Sequence, residues 1–154
     1  MVSNSIEMLN QDISNVMESI LHEITEELKD ELHLIIEEKV YEAYKGWYAE
    51  RGFRTYEFLE SFVVENFDRV MSGDATTLTE EVLNDPLLMT QYTGFPYSHY
   101  QREELAEVIE EGGEYLFETE APPRPFWQEW LTWCFTQIPQ RFVQKCHSRG
   151  LYIV

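Results

Sequence analysis

The sequence predicts an α+β protein: a long N-terminal helix, a small antiparallel sheet, and a long C-terminal helix followed by a short terminal strand. Three observations predict it. The first forty residues carry an apolar repeat in steps of three and four, the middle holds an aromatic and β-branched stretch, and a second helical block follows a proline-rich turn. The chain has 154 residues, 44% hydrophobic and 14% aromatic, which is enough apolar mass for one core and argues against disorder throughout. A single domain over residues 1–154 is expected.

From Ser5 to about Tyr44 the apolar positions are Ile6, Leu9, Ile13, Val16, Ile20, Ile24, Leu28, Leu32, Ile35 or Ile36, and Val40, with no Pro or Gly between them. Asn4 or Ser5 suits the N-cap. A helix over residues 1–44 spans more than 60 Å at about 1.5 Å per residue, longer than a small domain is wide. Either it breaks near Glu23–Asp30 or part of it projects. Gly46 and Gly52 then mark a helix end and a corner. Phe58–Val70 loosely alternates and is rich in strand-favouring residues, so it reads as a strand.

Residues 71–100 collect the turn signals Ser72-Gly73-Asp74, Asn84-Asp85-Pro86 and Thr93-Gly94-Phe95-Pro96, and read as an irregular insert with a short helix at Thr79–Asn84. Gln101–Glu111 reads as a helix stopped by Gly112-Gly113, and Glu114–Glu120 as a short strand. The C-terminal helix occupies 125–149, with Pro125 in its first turn and Pro139 expected to kink it. Gly150 ends it, and Leu151–Val154 reads as the terminal strand.

Charge narrows the function. The chain carries 29 acids and 11 bases, a net −18. Residues 1–120 hold 28 of those acids against 7 bases, whereas residues 121–154 hold one acid, Glu129, against four bases. A surface this acidic disfavours specific DNA binding and anionic lipid. It suits a duplex that slides past, a basic protein partner, or solubility alone. No apolar run approaches the roughly 20 residues of a membrane span. The first residues have no basic stretch and no small-residue cleavage site, so cytoplasmic synthesis is expected.

Motifs for chemistry are wanting. Neither CxxC nor HExxH joins His22, His33, His99, His147, Cys134 and Cys146, so no metal is expected. Cys134 and Cys146 lie about 18 Å apart along one helix, too far for a disulfide. Nucleophile elbows and phosphate-binding glycine loops are missing. The expectation is a protein without catalytic residues or cofactor; a hydrolase built on Glu57, Glu60 or Glu65 ranks last, since only charge marks those residues. The aromatic clusters Tyr41/Tyr44/Trp47/Tyr48 and Trp127/Trp130/Trp133 read as core or subunit interface before they read as base-stacking platforms.

Pro123-Arg124-Pro125-Phe126, a helix of about twenty residues, and then Phe142-Val143-Gln144-Lys145-Cys146-His147-Ser148-Arg149-Gly150-Leu151-Tyr152-Ile153 together resemble the ending of small neck and tail-completion proteins of long-tailed bacteriophages. Tyr41, Tyr44 and Arg51, the strand region, and Leu105–Gly112 agree with that family in order and spacing over roughly residues 35–154. Gly46 stands where a Pro is common, and Tyr48 falls one place early. The resemblance implies a virion protein forming a homo-oligomeric ring around the DNA channel, with portal, adaptor or tail-tube proteins as partners and no specific DNA binding. The interface candidates are Tyr41, Tyr44, Arg51, Arg124, Phe126, Trp127, Trp130 and Trp133. Arg124 either pairs with a carboxylate at a subunit boundary or braces the loop before the last helix. The alternative reading is an acidic DNA mimic that occupies the groove of a basic nucleic-acid enzyme.

Overall fold

The computed structural model describes residues 2–43, 57–72, 75–85, 99–115 and 118–152. Helix α1 runs Val2–Ile36 without a break at Glu23–Asp30, and a π-helical segment, Glu37–Glu42, continues it. Its 35 residues are about 52 Å long, so of the two expectations for this helix the break is not found. A helical turn, Glu57–Glu60, leads into β1, Phe62–Ser72, which pairs antiparallel with β2, Ala75–Asn84. Helix α2 covers His99–Glu111, the short strands β3, Gly113–Tyr115, and β4, Glu118–Ala121, form a second antiparallel pair, and α3 covers Phe126–Ser148. The class is α+β, as expected.

Three readings of the middle need correction. Ala75–Asn84 is a strand rather than an irregular insert with a helix at Thr79–Asn84. Leu78, Glu80 and Val82 occupy the covered positions and Thr77, Thr79 and Glu81 the exposed ones. Glu80 therefore sits where alternation calls for an apolar residue, which hid the period. The expected strand Phe58–Val70 begins only at Phe62, and Glu114–Glu120 falls across two strands rather than one. Between Glu65 and Asp68 the register slips by one residue, a bulge that bends β1.

A correction applies at the C-terminus as well. Leu151 and Tyr152 are irregular, and 153–154 lie outside the described residues. The cause is the helix ending itself. Gly150 has φ +79°, its N–H donates to the His147 carbonyl at 3.1 Å, and the Leu151 N–H donates to the Cys146 carbonyl at 2.8 Å. These are the two bonds of a Schellman ending, and Leu151 packs on the cluster that holds Cys146, as such endings require. Helix α3 runs on through Pro139, whose ring lies on its exposed face.

The main core joins Leu32, Ile35, Ile36 and Val40 of the first helix to Phe58, Phe62, Leu105, Ile109, Phe126, Trp130 and Cys134. Phe58, Phe62 and Phe126 meet edge to face at centroid distances of 5.4 to 5.9 Å. A smaller cluster, Ile20, Ile24 and Cys146, closes the other end of the α1–α3 seam. Burial keeps both cysteines as free thiols and pushes Cys134 up to about 11.

The β1–β2 hairpin docks on α1 through charge. Arg69 pairs with Glu18, and His22 Nδ1 lies 2.9 Å from Glu80 Oε1. The hydrogen bond to Glu80, then its charge, raises the His22 pKa above 6.5. Because the folded value is raised, this pair stabilises the fold fully below the unfolded value of 6.5 and fades as pH climbs through the folded value. His22 is mostly exposed, so the effect is small, about 0.5 kcal/mol. Urea melts at pH 5.5 and 8.5 should show His22→Gln less stable than wild type at the lower pH only, and an equal gap at both would refute the pairing.

Candidate interface

Helix α3 has two faces of different character. Phe126, Trp130 and Cys134, at four-residue intervals, are buried, and Trp127, Leu131, Trp133 and Ile138 pack beside them. The start of the helix is fastened from three sides. Glu110 of α2 accepts the backbone N–H groups of Trp127 and Gln128 at 2.8 and 3.1 Å, a carboxylate cap supplied by a neighbouring helix. The Arg124 N–H donates to the Ile109 carbonyl at 2.9 Å, and its guanidinium, buried at 4% exposure, donates to the Val40 carbonyl at 3.2 Å. Trp130 Nε1 donates to the Leu28 carbonyl at 2.8 Å. Pro123-Arg124-Pro125-Phe126 thus joins α1, α2 and α3, and within the subunit Arg124 braces the loop before the last helix.

The structure gathers most of the sequence-derived candidates inside the subunit. Phe126 is 1% exposed, Trp127 stacks on Phe62 at 6.3 Å and lies 4.7 Å from Trp130, and Arg141 lies over the Trp133 ring at 5.0 Å. Tyr41 packs on the main core, and its hydroxyl accepts the Leu59 N–H at 3.3 Å. Tyr44 and Arg51 lie outside the described residues. The number of rings on α3 therefore does not require a neighbouring chain to cover them.

What sequence reasoning passed over is the opposite face. Every exposed position from Thr132 to Ser148 is uncharged: Thr132, Phe135, Thr136, Pro139, Gln140, Val143, Gln144, His147 and Ser148. Phe135 is 81% exposed, the most exposed large apolar residue among the described ones. The two bases of this stretch, and Arg149 just after it, are drawn to α1 instead. Arg141 reaches Glu27 at 3.0 Å, Lys145 reaches Glu27 at 2.6 Å and Glu23 at 3.3 Å, and Arg149 pairs with Glu23. Burial works against the Glu27 charge, but hydrogen bonds from Lys145 and Arg141 outweigh it and hold its pKa below 4.5. An uncharged face with an aromatic at its middle has the composition of an interface core. The signal was available in the sequence as the three- and four-residue spacing of Thr132, Thr136, Pro139, Val143 and His147.

For chemistry the described residues offer less. No three His, Cys, Asp or Glu among them cluster as metal ligands, and Glu60 and Glu65 are exposed. An apolar recess of about 280 Å³ lies between β1, α2 and α3, lined by Phe62, Ala106, Phe126 and Trp127, with Glu110, already engaged as a cap, at its edge. No helix among the described residues is long and apolar enough to cross a membrane.

The two faces should separate in a stability measurement. Phe126→Ala is expected to cost about 3–5 kcal/mol and Phe135→Ala less than about 0.5 kcal/mol in urea unfolding. Comparable losses would mean that Phe135 is packed in the folded chain.

Comparison with curated proteins and with solved structures yields no match. Residues 5–145 match the YomN family, a span covering α1 through nearly all of α3. The chain belongs to the YomN family, whose phage-type name points to a phage protein.

Proposed function

We propose that this protein is a structural component of the phage neck, of the head-to-tail connector or tail-completion type, assembling as a ring around the DNA channel and acting without catalysis. The observation that carries the reading is the uncharged outer face of α3 from Thr132 to Ser148 on a chain of net charge −18. A subunit that must pack against copies of itself needs one surface where like charges do not meet. The remaining acids serve a channel. Asp30, Glu37 and Glu38 on the first helix, Glu81 on β2 and Glu107 and Glu111 on α2 all face solvent, and such a surface lets a duplex pass without holding it. Portal, adaptor or tail-tube proteins are the partners this reading implies, and the virion is the location, after synthesis in the host cytoplasm.

The same outward acids support a second reading, an acidic mimic of DNA bound in the groove of a basic nucleic-acid enzyme. Salt separates the two. A mimic releases its enzyme as ionic strength rises, whereas a ring held by apolar contact persists. Deleting the gene should yield DNA-filled heads without tails, seen by electron microscopy, and purified wild-type particles should contain the protein. Particles that lack it would overturn the neck assignment.

A further inference from the structure

Among the described residues, two stretches of exposed apolar surface carry few charges. One is the outer face of α3, centred on Phe135 with Val143 two turns on. The other is the free end of α1, where Leu9 is 59% and Ile13 40% exposed. We propose that these are two halves of one junction, in which the Leu9/Ile13 stripe of one copy lies on the Phe135/Val143 face of the next. The proposal rests on the reading of the chain as an assembling subunit and names the surfaces that reading leaves undefined.

Three arguments carry it. The first is electrostatic: copies of net charge −18 repel, so contact between them belongs where charges are sparse. Residues 1–17 hold only Glu7 and Asp12, and the exposed positions of α3 from Thr132 to Ser148 hold no charge. The second is continuity. Leu9, Ile13, Val16 and Ile20 are one stripe with steps of four, three and four, the narrow seam by which a helix binds another helix. Its later members, Val16 and Ile20, already pack with Cys146 and Phe142 of α3 in the same chain. From Val16 back to Val2 the helix extends about 20 Å further, and the stripe continues on it with Leu9 and Ile13 exposed. A surface that binds one helix within the subunit is thus presented again beyond it. The third is symmetry. The two surfaces differ, so the contact is heterologous and repeats from copy to copy, as a closed ring requires; like-with-like pairing of α3 faces would stop at a dimer.

Sedimentation of the purified full chain tests this, with Phe135→Glu and Ile13→Glu as variants. Both residues are exposed, so both variants should fold, which urea melts verify; Phe135→Ser and Ile13→Ser serve as milder substitutes. Wild type is expected to associate as concentration rises and to remain associated in about 1 M salt. Each variant alone is expected to lose association. An equal mixture of the two is expected to form dimers, because the Phe135→Glu chain still offers an intact α1 end and the Ile13→Glu chain an intact α3 face. A wild type that stays monomeric up to about 1 mM overturns the junction. So does a single variant that assembles like wild type, the result expected of α3–α3 or α1–α1 pairing, or a mixture that stays monomeric. A monomeric chain found in particles would defeat the junction alone, and a self-associating chain absent from particles would defeat the neck reading alone.

Discussion

Helix α3 lies antiparallel along α1, and the rest of the molecule is arranged around that seam. Lys39 faces Glu129 at one end, Trp130 bonds to the Leu28 carbonyl near the middle, and Cys146 rests on Ile20 and Ile24 at the other. Apolar burial supplies the attraction, and the ion pairs set which helices meet and in which direction. Glu23 and Glu27 of an acidic helix find Arg141, Lys145 and Arg149, most of the cations of the last third of the chain. The uneven distribution of charge along the sequence is in this way the distribution needed to bring its two ends together. Each pair is partly exposed and individually worth little. Their joint effect is to relieve the repulsion that α1 would otherwise carry along the seam.

A second fixed point is the entrance to α3. Polar groups enter the core there and bond to backbone or to a helix terminus. The Arg124 guanidinium bonds to the Val40 carbonyl in the π-helical segment, Glu110 caps two N–H groups, and the Trp130 indole bonds to Leu28. A polar group buried without a partner costs more than the bond it forgoes, so these contacts admit one arrangement of α1, α2 and α3. The Arg-Pro-Phe turn is thereby a structural joint, and its distinctiveness in the sequence reflects packing within the subunit.

Segregation of the surface follows from both features. Because Arg141 and Lys145 of α3 reach α1 and the rings of Phe126, Trp127, Trp130 and Trp133 pack on the core, the outward face from Thr132 to Ser148 retains Phe135, Val143, Pro139, His147 and hydroxyl or amide side chains. Asp30, Glu37, Glu38, Glu81, Glu107 and Glu111 of the other elements remain outward. One molecule then presents a face other copies can approach and a wider surface that DNA avoids. The neck reading proposed for this chain rests on that segregation, and the YomN family match supports a phage setting.

Local pattern alone determined the three long helices, the glycine-marked ends of two of them, and the class of the fold. The steps of three and four from Leu9 to Val40, the glycines at 112 and 150, and the proline before Phe126 act over a few residues, where backbone sterics and side-chain period decide the outcome. Strand β2 escaped that reading because an inward Glu80 becomes acceptable only when His22, 58 residues away, stands beside it. The expected terminal strand failed for a similar reason, since Leu151 is engaged by the cluster beneath the helix ending. Which aromatic rings are interior was likewise a tertiary matter. A helix with rings all round states that much of it is covered, but only the positions of α1, α2 and β1 divide Phe126 from Phe135, because burial belongs to contacts between segments and cannot be read along one of them.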